Sequence, residues 1–194
     1  MTSTVVVGSS AGGSGCVERL LADLPVNVKA RVLVVQHMLD SFTGRFADRL
    51  DSASAYDVRE ADFEDSVGPG EALVARGDLH MEAVDDVDGR LKIELNKRSG
   101  FHGLRPSIDA TMSSVAEVAD GTLIGVVLSG MGSDGVRGVE AMKDAGAITV
   151  AQDEETCSVF GMPRRAIETG CVDHVVPSDE IAETVVEAAG GGSG

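Results

Sequence analysis

Two short runs, Val5-Val6-Val7 and Val32-Leu33-Val34-Val35, are apolar at every position instead of at alternate ones. A strand with one wet face alternates apolar and polar residues, so runs like these belong to strands covered on both sides. Such strands occur in parallel sheets with helices packed on each face, and this constrains the fold more than any other feature of the chain. The segments between them agree. After the strand expected at residues 4–8 comes a glycine-rich turn, then Cys16, Val17, Leu20, Leu21 and Leu24 at helical spacing, ending at Pro25. A strand at residues 32–35 runs into Gln36-His37, and a helix is expected over residues 41–50.

The middle of the chain reads differently. Val58 and residues 73–75, 79–84 and 91–95 are short and partly alternating, and Asp88-Gly89 is a hairpin turn signal. An antiparallel hairpin or edge insertion is expected around residues 71–96. Pro106 opens an amphipathic helix with Ile108, Met112, Val115 and Val118 inward. Strand-loop-helix units then return: a strand at 123–128, a loop at 129–135, a helix at 136–145, and further strands at 148–151 and 172–176. The expected fold is α/β, a doubly wound, mainly parallel sheet with helices on both faces and right-handed crossovers. Residues 1–189 form one domain, and the Gly/Ser tail at 190–194 is read as flexible.

Composition narrows what such a fold can do. With one Tyr, no Trp and five Phe, the core has to be aliphatic. The formal charge of −16 repels phosphate backbones and argues against nucleic acid as a partner. Only Lys29, Lys92, Lys97 and Lys143 are lysines, a balance that suits solubility in high salt. Cys16, Cys157 and Cys171 form neither a CxxC pair nor a metal-like cluster with histidine, and read as small buried residues in a reducing compartment. No metal and no cofactor are expected. The chain shows no membrane span and no signal-peptide pattern, so a cytoplasmic location is expected.

In open parallel sheets ligands bind beyond the carboxyl ends of the strands, near the point where strand order reverses. Three such ends carry a hydroxyl, an imidazole and a carboxylate: Ser10, His37 and Asp134. These are the groups of a nucleophile, a general base and an orienting acid. The turn Gly8-Ser9-Ser10-Ala11-Gly12-Gly13 is open to three readings. A dinucleotide loop would need glycine at Ser10 and an acid in place of Gln36-His37. Residues 8–12 fit the GxSxG nucleophile elbow, although that family places its acid before its histidine. The third reading is a plain strand-to-helix turn. Asp134 and Ser133 are also both candidate caps for the next helix. His80, His102 and His174 lack metal-like spacing and read as solvated, although His102 lies beside Arg98 and Arg105 in a loop that could border a groove.

Taken together, residues 7–13, Val35-Gln36-His37-Met38, Arg105-Pro106-Ser107-Ile108-Asp109, Leu128-Ser129-Gly130-Met131-Gly132-Ser133-Asp134-Gly135 and Val159-Phe160-Gly161-Met162-Pro163 resemble the catalytic domain of chemotaxis protein-glutamate methylesterases, in that family's order. The resemblance covers nearly all of residues 4–188. It implies Ser10 as nucleophile, His37 as base and Asp134 as buried acid. It further implies hydrolysis of glutamyl methyl esters on chemoreceptor cytoplasmic helices, and in many members deamidation of receptor glutamines. Oxyanion or substrate contacts are expected near Ala11, Met131 and Arg105. Two departures stand out. Ala11 occupies a place where threonine is common, and the strand begins within five residues of Met1, so no receiver domain is expected here. That second departure keeps open a stand-alone relative acting on another ester or as a scaffold; a nucleotide-binding module is the more distant rival. Because receptor helices are rich in glutamate, Arg98, Arg105, Arg137, Arg164 or Arg165 is expected to relieve repulsion around the cleft.

Overall fold

The computed structural model describes residues 2–101 and 103–190. The first half alternates β1 (Ser3–Ser9), α1 (Ser14–Asp23), β2 (Ala30–Gln36) and α2 (Asp40–Ala53). Then come β3 (Asp57–Glu60), β4 (Asp65–Val67), β5 (Glu71–Val74), β6 (His80–Val87) and β7 (Arg90–Asn96). The second half runs α3 (Ile108–Val118), β8 (Thr122–Val127), α4 (Val136–Asp144), β9 (Ile148–Gln152), α5 (Met162–Glu168), β10 (His174–Val176) and α6 (Ile181–Ala188).

Seven strands form one sheet in the order β10-β9-β8-β1-β2-β5-β3, and every pairing in it is parallel. From β1 the chain winds outward through β2 to one edge, then crosses back to lay β8 on the other side of β1 and winds outward again. Strand order therefore reverses beside β1, at the centre of the sheet. Side-chain alternation divides the interior into two cores. Val5, Val7, Val32 and Val34 meet Leu20 and Leu21 of α1, Phe46 of α2 and Val185 of α6 on one face. On the other face Val6, Leu33 and Val35 meet Met112 of α3, Met142 of α4 and Met162 of α5. The uninterrupted apolar runs are thus accounted for, since each strand supplies side chains to both cores.

The antiparallel insertion differs from the expectation in extent and place. β5, inside the expected 71–96 segment, pairs parallel with both β2 and β3. The antiparallel part is a separate three-stranded sheet, β4-β7-β6, whose Met81, Leu91, Ile93 and Leu95 join the second core. It covers a face of the large sheet and does not extend an edge. Short apolar runs such as Leu73-Val74-Ala75 carry no signal that separates a parallel from an antiparallel partner. The turn prediction holds: Asp88 and Gly89 join β6 to β7 with φ of 53° and 76°, both left-handed as a two-residue primed turn requires. Helix α3 starts after Pro106, with Ser107 as its cap accepting from the Ala110 N–H at 3.3 Å. The Gly190 N–H bonds to Glu187 O at 3.0 Å at the end of α6; residues 191–194 of the expected flexible tail lie outside the described residues.

Among the described residues no helix is long and apolar enough to cross a membrane.

Candidate active site

Ser10, His37 and the loop bearing Asp134 follow β1, β2 and β8, three neighbouring strands at the centre of the sheet. The β1–β2 register pairs Ser9 with Gln36, and the His37 N–H continues it by donating to Ser9 O at 3.0 Å. Ser10 and His37 are therefore the next residues along two strands that run about 4.8 Å apart. From the other side the Ser10 N–H donates to Ser129 O at 3.0 Å, which ties the serine to the loop after β8. That loop brings Asp134 to His37, whose Nε2–H donates to Asp134 Oδ2 at 2.7 Å. The three residues picked out from the sequence are thus gathered at the point where strand order reverses. Among the described residues the half-buried Ser10 hydroxyl makes no hydrogen bond.

Asp134 is 2 % exposed and fully used as an acceptor. Besides His37 it takes hydrogen bonds from Ser107 Oγ at 2.8 Å, the Ile108 N–H at 2.7 Å and the Asp109 N–H at 2.9 Å. Burial alone would raise its pKa; the donors from His37 and from the Asp109 and Ile108 backbone outweigh it and hold the carboxyl below the ordinary aspartate range. Neither Asp134 nor Ser133 caps α4 with its side chain, since the cap position is Gly135. The anion sits instead against the first turn of α3, where unpaired N–H groups and the helix dipole favour it.

The glycine-rich turn is shaped by packing. A Cβ at Gly8 would stand 2.5 Å from Ile108 Cγ2, so the first glycine lets α3 close onto β1. Gly12 has φ +74°, and a Cβ there would meet Ser158 Cβ at 2.4 Å. Helix α1 begins only at Ser14, with the Gly13 N–H bonded back to Ser10 O at 3.1 Å. With Gly8 filled by Ile108, the turn offers no open backbone at that position for a pyrophosphate, which counts against the dinucleotide reading.

Several residues that complete the site were given no role in sequence reading, although they lie within the motifs quoted there. Gln36 Nε2 donates to the carbonyls of both Ser10 at 3.0 Å and His37 at 3.4 Å, bracing the two strand ends with one amide. Ser129 Oγ donates to Ala11 O at 2.8 Å and accepts from the Val159 N–H at 3.0 Å, joining the loops after β1, β8 and β9. Ser107 and Asp109 belong to a motif that marked family likeness without declaring a role. The backbone N–H groups of Ala11 and Met131 make no hydrogen bond among the described residues, which leaves them available as oxyanion donors. Met131 is 71 % exposed beside them.

Other sequence expectations need correction. His80 is buried, not solvated: it opens β6 with its ring edge-on to Phe101 and its Nε2–H donating to Arg98 O at 3.0 Å. His174 is exposed as expected, and His102 lies outside the described residues. The three cysteines are free and half-buried, and burial pushes the Cys157 thiol up to about 12. Arg105 pairs with Asp78 at 2.8 Å, and Arg98 pairs with the buried Glu82. Glu82 neutralises Arg98, whereas Asp78 is shared between Arg105 and Lys97, which leaves one positive charge in excess there. No group of three or more potential metal ligands occurs among the described residues.

A doubly wound sheet that gathers hydroxyl, imidazole and carboxylate where its strand order reverses places the molecule in the class of α/β proteins organised like serine hydrolases. The family model described as CheB methylesterase matches residues 5–185, and the chain belongs to that family. It is 52 % identical over 185 residues to a protein-glutamate methylesterase/protein-glutamine glutaminase of Halobacterium salinarum, covering 95 % of this chain and 53 % of that protein. A protein of the same description from Pyrococcus abyssi is 48 % identical over 193 residues, covering 97 % and 52 %. The chain therefore spans about half the length of the curated relatives it matches. The crystal structure of the Thermotoga maritima CheB methylesterase catalytic domain superposes with a TM-score of 0.91 at 39 % identity, covering 96 % of this chain and 98 % of that one.

Proposed function

We propose that residues 1–189 act as a catalytic domain that hydrolyses methyl esters of glutamate side chains on the cytoplasmic helices of chemoreceptors, with Ser10, His37 and Asp134 as its catalytic residues. The observation that carries the reading is the 2.7 Å bond between His37 and a buried, fully coordinated Asp134, on the strand end next in register to Ser10. His37 takes the Ser10 proton as the hydroxyl oxygen attacks the ester carbonyl, and the tetrahedral oxyanion is held by the free N–H groups of Ala11 and Met131. Collapse expels methoxide, which leaves as methanol with the proton from His37. Water, activated by the same imidazole, then releases the glutamate carboxylate and restores the serine. Asp134 holds the ring and stabilises the imidazolium. Expulsion of ammonia instead of methanol gives glutamine deamidation at the same centre, in keeping with the name of the relatives. The location that goes with this substrate is the cytoplasm.

The exposed Arg137 of α4 and Arg164 and Arg165 of α5, which make no ion pair among the described residues, are the cations assigned to the acidic partner, in place of Arg98, neutralised by Glu82, and Arg105, held on Asp78. The test is methanol release from methylated receptor membranes by the wild-type chain and by Ser10→Ala. A loss of about a thousandfold or more is expected for the variant, as for removal of an acyl-transfer nucleophile. Equal rates would end the proposal.

A further inference from the structure

Asp109 lies in the first turn of α3, 1 % exposed, and the chemistry proposed above does not use its carboxylate. Its Oδ1 accepts from the Gly135 and Gly138 N–H groups, each at 2.8 Å, which are donors at the start of α4. The exchange is reciprocal. Asp134, the residue before Gly135, accepts from the Ile108 and Asp109 N–H groups at the start of α3. Each helix start thus receives the carboxylate carried beside the other. Both anions meet unpaired N–H groups and the positive end of a helix, and each arrangement fixes the donors of its counterpart.

The two halves of this exchange do different things. Ser107, Ile108 and Asp109 hold the carboxylate of Asp134 in the cradle, but they do not hold the loop that brings it there. That loop is tied down at its start, where Gly130 donates to Val159 O at 2.9 Å and accepts from the Gly161 and Met162 N–H groups; toward Asp134 it turns through Gly132 and Gly135, at φ of 104° and 99°. Asp109 anchors it at the residue directly after Asp134.

We propose that Asp109 is a positioning residue: by gripping the start of α4 it sets where Asp134 meets His37. The inference rests on the hydrolase reading for its kinetic consequence, but its geometric consequence can be read without any substrate.

The experiment compares Asp109→Asn and Asp109→Ala with the wild-type chain, using a small neutral methyl ester and proton spectroscopy of the His37 Nε2–H that faces Asp134. Asn keeps an acceptor for Gly135 and Gly138 but exchanges charge-assisted hydrogen bonds for neutral ones of about half the strength, so kcat falls about tenfold with KM within about twofold. The His37 proton resonance moves upfield in that variant. Asp109→Ala removes the anchor, and both effects are larger. If the alanine variant does not fold, the isosteric asparagine variant decides. A role in stability alone would lower the melting temperature of Asp109→Asn while leaving kcat per folded molecule and the imidazole resonance at wild-type values, and that result overturns the proposal. A wild-type chain with no esterase activity removes the hydrolase reading but leaves the resonance comparison to judge Asp109.

Discussion

The nitrogen that His37 turns toward Asp134 decides how its proton moves. In the trypsin-like arrangement the carboxylate takes Nδ1 and the serine faces Nε2. Here the carboxylate takes Nε2, so Nδ1 is the nitrogen left for Ser10. Nitrogen spectroscopy of labelled histidine at a pH where the ring is neutral should find the proton on Nε2, and a proton on Nδ1 would contradict this geometry. Asp134→Asn, which disturbs that tautomer while keeping the shape, should lower kcat by about 10³–10⁴-fold. His80 offers a separate pH reading. Burial holds its pKa below the ordinary histidine value, and the bond to Arg98 O offsets only part of the effect. The unfolded chain then binds the proton first, so the stability that neutral His80 contributes is complete above about pH 6.5 and is lost as pH falls through the lower folded value. Denaturant titrations of His80→Phe should show a flatter slope below that pH than the wild type. That Ser10, His37 and Asp134 lie at neighbouring strand ends was legible in the sequence, because strand ends in a parallel sheet are where chemistry collects. The roles of Gln36, Ser107, Asp109 and Ser129 were not: they lie in hydrogen bonds to backbone carbonyls or to the Asp134 carboxylate 25 to 118 positions away, and no local pattern announces these. His80 was misread for a related reason, since the aromatic ring that covers it lies on a later loop.

Among the elements, α3 does the most to join fold and site. Its first turn cradles Asp134, its Ile108 fills the space over Gly8, and its Met112 and Val115 lie in the second core. Gly8→Ala forces a Cβ into Ile108 and should cost about 1–3 kcal/mol, the usual range for overpacking. Ile108→Ala should cost about 2–5 kcal/mol as a cavity. Because the two changes meet at one contact they should not add: the double variant is expected to be more stable than the sum of the singles predicts, as measured by denaturant midpoints. Strict additivity would show that α3 does not rest on Gly8. Periodicity and turn chemistry predicted α3 and the β6–β7 turn well, because both are local properties. The partner of β5 is not local, and the sequence reading therefore put it in the wrong sheet.

For the molecule as a whole, the charge of −16 sets the conditions under which the site would meet the proposed acidic partner. At 0.1 M salt the screening length is about 10 Å and at 1 M about 3 Å, so added salt relieves both self-repulsion and repulsion of the partner. The melting temperature should rise between those concentrations; a flat response would argue against the saline reading of the composition. Combining Arg137→Glu with Arg164→Glu should raise KM on methylated receptor by about three- to tenfold at low salt, with a smaller effect at high salt and none on a neutral ester. An equal change on both substrates would show that these arginines do not face the partner. The central position of β1 has another outcome, in the time before folding is complete. Until β8 is laid down beside it, β1 presents Val5, Val6 and Val7 on an unpaired edge, a ready template for association with other chains. The same strand closes that edge and leads into the loop that carries Asp134, the proposed catalytic carboxylate. A chain cut or stalled before Thr122 is therefore expected to be sticky and, on the proposed chemistry, inert: the step that makes the protein safe is the one that assembles the candidate site.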